Sequence, residues 1–318
     1  MKKILIVLAV FSMITLFVTI PKYLRDLQMA RQRIGSLESM VIHTPVAPIE
    51  FYRSGKGAPI LISHGITGGF DQGLGLARFY IAGEYDLIAV SRFGYLGSSL
   101  PENPSPDAQA EAYKHLLDRL GIDKTFVFGN SAGGTSAIRF ALNYPERCSG
   151  LILVSSNVPS KVAMPPKLVM KTVFGSNYIY WFTANVLGEN MLPSAGVTTD
   201  LLKEMTNEEK MNLFNDVIMS GFPIQNRSAG VINDMFVSNP DINQDYPFEQ
   251  ISVPVLMIHA KDDPLCSFQG ALSMQQKIPN IEIENFERGG HILLGHEAEI
   301  QNKIAIFIES NSTSEGGR

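Results

Sequence analysis

Residues 126–134 read FVFGNSAGG, an apolar, β-like run that stops at Gly129-Asn130-Ser131-Ala132-Gly133. Small residues commonly close a strand with a turn, and a turn alone would account for the glycines. A serine between glycines at a strand end is also how a nucleophile is presented. It sits on a strained strand-to-helix turn with its Oγ above the sheet, and the glycines give the nearby backbone room. Directly behind Ser131, Ala132 to Asn143 is helical in pattern and is closed by Tyr144-Pro145. The rest of the chain decides between the two readings.

Around this stretch the chain alternates short apolar runs with helical segments. Pro59–Ser63, Asp86–Val90, Thr125–Gly129, Leu151–Ser155, Val253–Ala260 and Ile281–Phe286 all read as buried strands. The segment IEFYRSGKGAPILISHG reads as a hairpin whose second arm is Pro59–Ser63. Uniformly apolar strands separated by helices predict an α/β fold, a mostly parallel sheet covered on both faces. One helix has clear ends: Ser105-Pro106-Asp107 caps its start and Gly121 its finish. Between residues 157 and 245 the alternation breaks into helical and loop-rich sequence. This stretch holds the capping box Thr206-Asn207-Glu208-Glu209, and Met164, Met170, Phe174, Tyr178, Tyr180, Trp181, Phe182 and Met191. An insertion of this length reads as a helical cap, most of its aromatics forming its own small core and a few facing a pocket. The expected division is 1–21 anchor or signal, 22–47 amphipathic linker, 48–156 and 246–310 core, 157–245 cap, and 311–318 a polar, disordered tail.

Composition removes several function classes. The 318 residues are 45% hydrophobic and 18% charged, enough for one large core with an inserted smaller unit. A net charge of −5 without a basic block argues against nucleic acid as a partner. Cys148 and Cys266 lie far apart without metal-ligand spacing, no phosphate-binding glycine loop follows a strand, and the histidines form no zinc motif. Neither metal nor organic cofactor is expected. The run from Ile4 to Ile20 is uncharged and would extend about 25 Å as a helix, at the short end of a bilayer span. It has no small-residue cleavage site, and Pro21 follows it, so an uncleaved membrane anchor is favoured over a signal peptide that would leave the protein secreted. Lys2 and Lys3 before it and Lys22, Arg25, Arg31 and Arg33 after it give no clear orientation. Tyr23, Leu27, Ala30, Ile34, Leu37 and Val41 then mark a short amphipathic helix that would dock on the domain or on a membrane surface.

A nucleophilic Ser131 requires a base, a group orienting that base, and donors for an oxyanion. Ala132 N–H supplies one donor. The glycine-rich loop Ser63-His64-Gly65-Ile66-Thr67-Gly68-Gly69 supplies the other, with Ile66 N–H preferred and Gly65 the near alternative. Among six histidines, His291 in Gly289-Gly290-His291 follows the last strand and is the candidate base, with His296 second. His43 precedes the domain, His64 belongs to the oxyanion loop, His115 lies in a surface helix, and His259 lies inside a strand. The acid is expected after the preceding strand, where Asp263 before Pro264 is preferred and Asp262 is left to solvent or to capping the turn. The stretch after Leu151–Ser155 offers only Ser156 and Asn157 beyond its own serine, which strengthens Asp263.

A strand, an HG loop, G-x-S-x-G, an acid and GGH, in the order Ser131, Asp263, His291, resemble the α/β-hydrolase fold superfamily over roughly residues 48–310. Ser91–Ser99, SRFGYLGSS, is similar to the loop these proteins carry after the next strand. The resemblance implies an eight-stranded, mostly parallel sheet with a helical cap after the sixth strand. Haloalkane dehalogenase and epoxide hydrolase relatives carry aspartate at the nucleophile position; serine here disfavours both chemistries. The expected activity is serine hydrolysis of a carboxylic ester or related small-molecule acyl substrate, lipophilic in keeping with the apolar cap. The alternatives are C–C bond hydrolysis of a β-diketone-like substrate, compatible with Asn130 beside the nucleophile, and a non-catalytic ligand-binding scaffold.

Overall fold

The computed structural model describes residues 2–160, 165–244 and 246–312, with side chains from residue 17 onward. Eight strands form one sheet: β1 (Met40–His43), β2 (Pro48–Ser54), β3 (Pro59–Ser63), β4 (Asp86–Val90), β5 (Thr125–Asn130), β6 (Cys148–Val154), β7 (Val255–Ala260) and β8 (Ile281–Phe286). Their order is β1-β2-β4-β3-β5-β6-β7-β8; β1–β2 and β2–β4 pair antiparallel and the rest parallel. The predicted α/β class holds. The predicted hairpin does not, because β4 lies between β2 and β3. Gly55 and Gly57, at φ 90° and 110°, turn the chain away from β2 before β3 begins.

The central strands are apolar on both faces because both are covered. Leu61, Val127, Leu151, Leu153, Val255 and Met257 face one core, with α3 (Pro106–Leu120), α4 (Gly133–Asn143) and α11 (Phe268–Gln275). Ile60, Ile62, Phe126, Phe128, Ile152, Val154, Leu256 and Ile258 face the other, with α2 (Phe70–Tyr80) and α12 (Glu297–Ser312). The expected caps of α3 form: Ser105 Oγ accepts from Ala108 N–H, and Gly121 takes the left-handed conformation.

Between β6 and β7 lie α5 (Lys167–Phe174), α6 (Asn177–Leu187), α7 (Thr199–Glu204), α8 (Asn207–Val217), α9 (Ser228–Asn233), a π turn at Asp234–Ser238 and α10 (Asn239–Asp241). The capping box of α8 forms as its sequence predicts. Trp181, Tyr180, Phe214 and Phe222 centre a third core to which Phe174, Tyr178, Phe182 and Met191 also belong. The named aromatics of this insertion therefore pack together, while Met164 lies outside the described residues.

The amphipathic helix expected within residues 22–47 forms and docks on the domain, and the same segment also supplies the first strand of the sheet. Helix α1 runs from Lys2 to Gly35 through Pro21, and Met40–His43 is the first strand of the sheet. Past Pro21, α1 is held by the insertion. Tyr23 stacks edge-on with Tyr178 and Trp181, Trp181 Nε1–H donates to Asp26, Lys22 bonds Asn185, and Leu27 is buried in the third core. Ile34 and Leu37 pack instead on the α2/α12 core, and Val41 is exposed on β1. Among the described residues no helix is long and apolar enough to cross a membrane. The apolar run before Pro21 falls mostly on residues whose side chains lie outside those described, as residues 313–318 of the tail do entirely.

Candidate active site

Ser131 sits at the end of β5 with φ 48°, in the left-handed region that costs a non-glycine residue strain. Backbone bonds fix it: its N–H donates to Val154 O at 3.2 Å, and its carbonyl accepts from Gly134 N–H and Asn157 N–H. The glycines are there for clearance. A Cβ on Gly129 would lie 2.8 Å from Ala137 Cβ, and one on Gly133 would lie 2.2 Å from Ser63 O. Helix α4 thus starts hard against the HG loop, and only glycine permits that approach. The Ser155–Asn157 stretch, which held no acid, serves here as the buttress of Ser131.

The structure brings three sequence-selected side chains into one chain of hydrogen bonds. Ser131 Oγ lies 2.8 Å from His291 Nε2, and His291 Nδ1 lies 2.8 Å from Asp263 Oδ2. Nδ1–H donates to the carboxylate, leaving Nε2 to accept from the serine hydroxyl. The other Asp263 oxygen accepts from the N–H groups of Leu265 and Cys266. Asp262 turns the opposite way and accepts from Gly289 and Gly290 N–H, so it braces the loop that carries His291. His291 N–H in turn donates to Gly196 O of the insertion at 2.9 Å.

Burial pushes the Asp263 carboxyl up, but hydrogen bonding and charge from His291 and the two backbone N–H groups hold it below its ordinary value. Burial pulls His291 down, yet the side chains of Cys266 and Asp263 raise it above an ordinary imidazole.

The HG loop lies beside Ser131: a Cβ on Gly65 would be 3.4 Å from Ser131 Cβ. Among the described residues no backbone–backbone bond outside helices and strands uses the N–H groups of Ile66 and Ala132. His64 braces the loop. Its Nδ1–H donates to Gly65 O at 2.6 Å, and its Nε2 accepts from Arg92 N–H. Burial and the Arg92 charge lower its pKa well below the ordinary value, which keeps Nε2 free to accept. Of the other histidines, His296 is tied to Glu299 and Arg288 O, His115 sits among Glu111 and Asp118 on α3, His43 ends β1, and His259 is buried in β7.

Sequence reasoning missed what holds this loop in place. Arg92 grips Asp234 of the insertion through Nη1 and Nη2 at 2.6 and 2.5 Å, and also donates to His64 O and Gly65 O. Tyr95 O–H donates to the same carboxylate. Nearby, buried Arg227 forks onto Asp71 and donates to Gly68 O, and Arg33 of α1 reaches Asp71 and the carbonyls of Ser220 and Phe222. The SRFGYLGSS segment, which contains Arg92 and Tyr95, was the one local signal of these contacts.

A mostly parallel, doubly covered sheet with serine on the β5–α4 turn and Asp263 and His291 just past β7 and β8 defines the α/β-hydrolase class. A family model described as alpha/beta hydrolase fold matches residues 58–298, and the chain belongs to that family. It is 27% identical over 202 residues to a 2-hydroxy-6-oxononadienedioate/2-hydroxy-6-oxononatrienedioate hydrolase of Paraburkholderia phymatum, covering 63% of this chain and 67% of that one. It is 26% identical over 247 residues to a 2-hydroxymuconate semialdehyde hydrolase of Pseudomonas putida, covering 74% and 82%. An alpha/beta hydrolase fold protein from Nakamurella multipartita superposes with a TM-score of 0.73 at 24% identity, over 86% of this chain and 99% of that structure.

Proposed function

We propose that this protein is a serine hydrolase in which Ser131 attacks a carbonyl carbon. The observation that carries the reading is the pair of 2.8 Å contacts joining Ser131, His291 and Asp263. His291 Nε2 takes the serine proton and returns it to the leaving group, while Asp263 holds the imidazole tautomer and stabilises its charged form. Ile66 and Ala132 N–H stabilise the oxyanion, each donor contributing about 3 kcal/mol to the transition state. Water then attacks the acyl-enzyme with His291 as base. The insertion acts as a cap over this centre, and the Ile4–Ile20 run anchors the chain to a membrane.

The names of the relatives favour C–C bond hydrolysis of a 2-hydroxy-6-oxo acid, with Ser131 adding to the ketone and the leaving carbon departing as a stabilised enolate. One observation favours an uncharged ester instead. The two arginines buried against the HG loop are both committed, Arg92 to Asp234 and Arg227 to Asp71, and so are already neutralised before a substrate carboxylate arrives. Parallel kinetics on a 2-hydroxy-6-oxo dienoate and on p-nitrophenyl esters of increasing acyl length separate the two. Fluorophosphonate labelling that is lost in Ser131→Ala and His291→Ala supports the mechanism. A folded wild type that takes no label rejects it. Membrane fractionation of the full chain, with and without residues 1–20, tests the anchor.

A further inference from the structure

We propose that Asp263, Cys266 and His291 form a binding site for a thiophilic divalent cation, Zn2+ above all, and that its occupancy silences Ser131. The turn after β7 builds the site. Asp263 Oδ1 accepts from the N–H groups of Leu265 and Cys266, which folds the cysteine back beside the carboxylate it follows. One ligand atom from each of Asp263, Cys266 and His291 lies within 4.8 Å of the others, and all three residues are buried. Nδ1 of His291 and Oδ2 of Asp263 are already only 2.8 Å apart.

The donor set is one sulfur, one imidazole nitrogen and one carboxylate oxygen, the mixture that suits zinc and does not suit magnesium or calcium. Metal–ligand lengths of about 2.0–2.3 Å place tetrahedral ligand pairs roughly 3.3–3.8 Å apart, so Nδ1 and Oδ2 must part by about 0.5 Å while neither distance to the sulfur need close by more than about 1.5 Å. A water fills the fourth position. His259 stays outside this set, because its Nε2–H is spent on Cys266 O at 2.7 Å.

The consequence for the serine follows from where the imidazole proton must go. In the metal-free protein Nδ1 carries it and Nε2 accepts from Ser131. Coordination uses the Nδ1 lone pair, so that proton moves to Nε2 and the Cys266 thiol proton is released to solvent. Nothing is oxidised or reduced. Nε2–H is now a donor, and it cannot take the serine proton that acylation requires. The cation also neutralises the carboxylate that would stabilise an imidazolium. Only this silencing rests on Ser131 being the nucleophile; the site itself does not.

The experiment titrates the full-length, EDTA-treated protein in detergent with Co2+ and with Zn2+. Co2+ should give a thiolate-to-metal band in the near ultraviolet, in wild type and in Cys148→Ala but not in Cys266→Ala or Cys266→Ser. Zn2+ should slow fluorophosphonate labelling reversibly, and the Cys266 variants should need at least about tenfold more Zn2+ for half-inhibition. Should those variants not fold, protection of Cys266 from iodoacetamide by Zn2+, mapped in the wild type by mass spectrometry, decides in their place. The proposal is overturned by the absence of a band in wild type, by inhibition that survives unchanged in Cys266→Ser, or by unprotected alkylation. Failure of the metal-free protein to label at all would instead strike the hydrolase reading, and the Co2+ band would still judge the site.

Discussion

Replacing Asp234 with alanine should both destabilise the protein and slow its reaction, and the two losses should be separable. Its carboxylate is almost fully buried, receives both outer nitrogens of Arg92 and also accepts from Tyr95 O–H. Removing it strands a guanidinium that is itself only 4% exposed, and breaking one side of a buried pair costs about 3–5 kcal/mol. In a chain of 318 residues that lowers Tm by about 4–8 °C. The kinetic loss has a different origin. Arg92 Nε–H and Nη2–H hold the carbonyls of His64 and Gly65, so an arginine released from Asp234 no longer fixes the loop that carries Ile66. The double variant Arg92→Met/Asp234→Leu removes both charges of this pair, leaves neither stranded, and should regain much of the stability. It should label with fluorophosphonate as slowly as Asp234→Ala, because the loop remains unheld. Thermal unfolding and labelling rates on the three proteins provide the comparison. An Asp234→Ala variant that melts within about 2 °C of wild type and labels at the same rate would refute the reasoning.

Four other outcomes are expected. Gly133→Ala places a methyl 2.2 Å from Ser63 O and 2.5 Å from His64 O, both backbone atoms, so it should cost about 1–3 kcal/mol and depress labelling; normal labelling would show that the loop yields freely. Labelling of the wild type should rise with pH through a midpoint above the ordinary imidazole value of about 6.5, because His291 must be neutral to act and its pKa is raised. The same increase means that the His291–Asp263 pair stabilises the fold fully below the unfolded histidine's pKa and ceases to do so as pH climbs through the folded one. In Asp263→Asn the midpoint should fall and the plateau drop by about 10⁴; an unmoved midpoint contradicts the assignment of Asp263. Leu27→Ala, in a helix whose start lies far from the sheet in sequence, should cost about 2–4 kcal/mol by denaturant titration, and a cost near zero would mean that α1 does not hold the insertion.

The parts of the site that sequence revealed are those whose signals are local. Ser131 is marked by glycines two residues to either side, His291 by the glycines before it, and Asp263 by the proline behind it. The braces were hidden because their partners are distant: Arg92 and Asp234 are 142 residues apart, and Asp71 and Arg227 are 156 apart. An exposed and a buried arginine look alike in a sequence. The hairpin misreading has a related cause, since strand pairing is settled by which strand arrives between two others, and β4 is specified 27 residues after β3 starts. The helix expected after Pro21 forms on the residues its spacing marked, but its continuity across Pro21 was not legible. A proline normally ends a helix, having no N–H and crowding the preceding turn. Here Tyr23, Leu27 and Ala30 find partners on the insertion and the helix continues.

Arg33 brings three otherwise independent pieces of chain to a single carboxylate. Asp71, in the first turn of α2, is shared by Arg33 from α1 and Arg227 from the insertion, while Arg33 also clasps two insertion carbonyls. Such a helix works as a splint: it is strapped to the insertion and to α2 at once. Displacing the insertion as a whole would have to break its contacts with Tyr23, Leu27 and Arg33. The residues between Pro21 and Gly35 thereby bind the insertion to the rest of the domain.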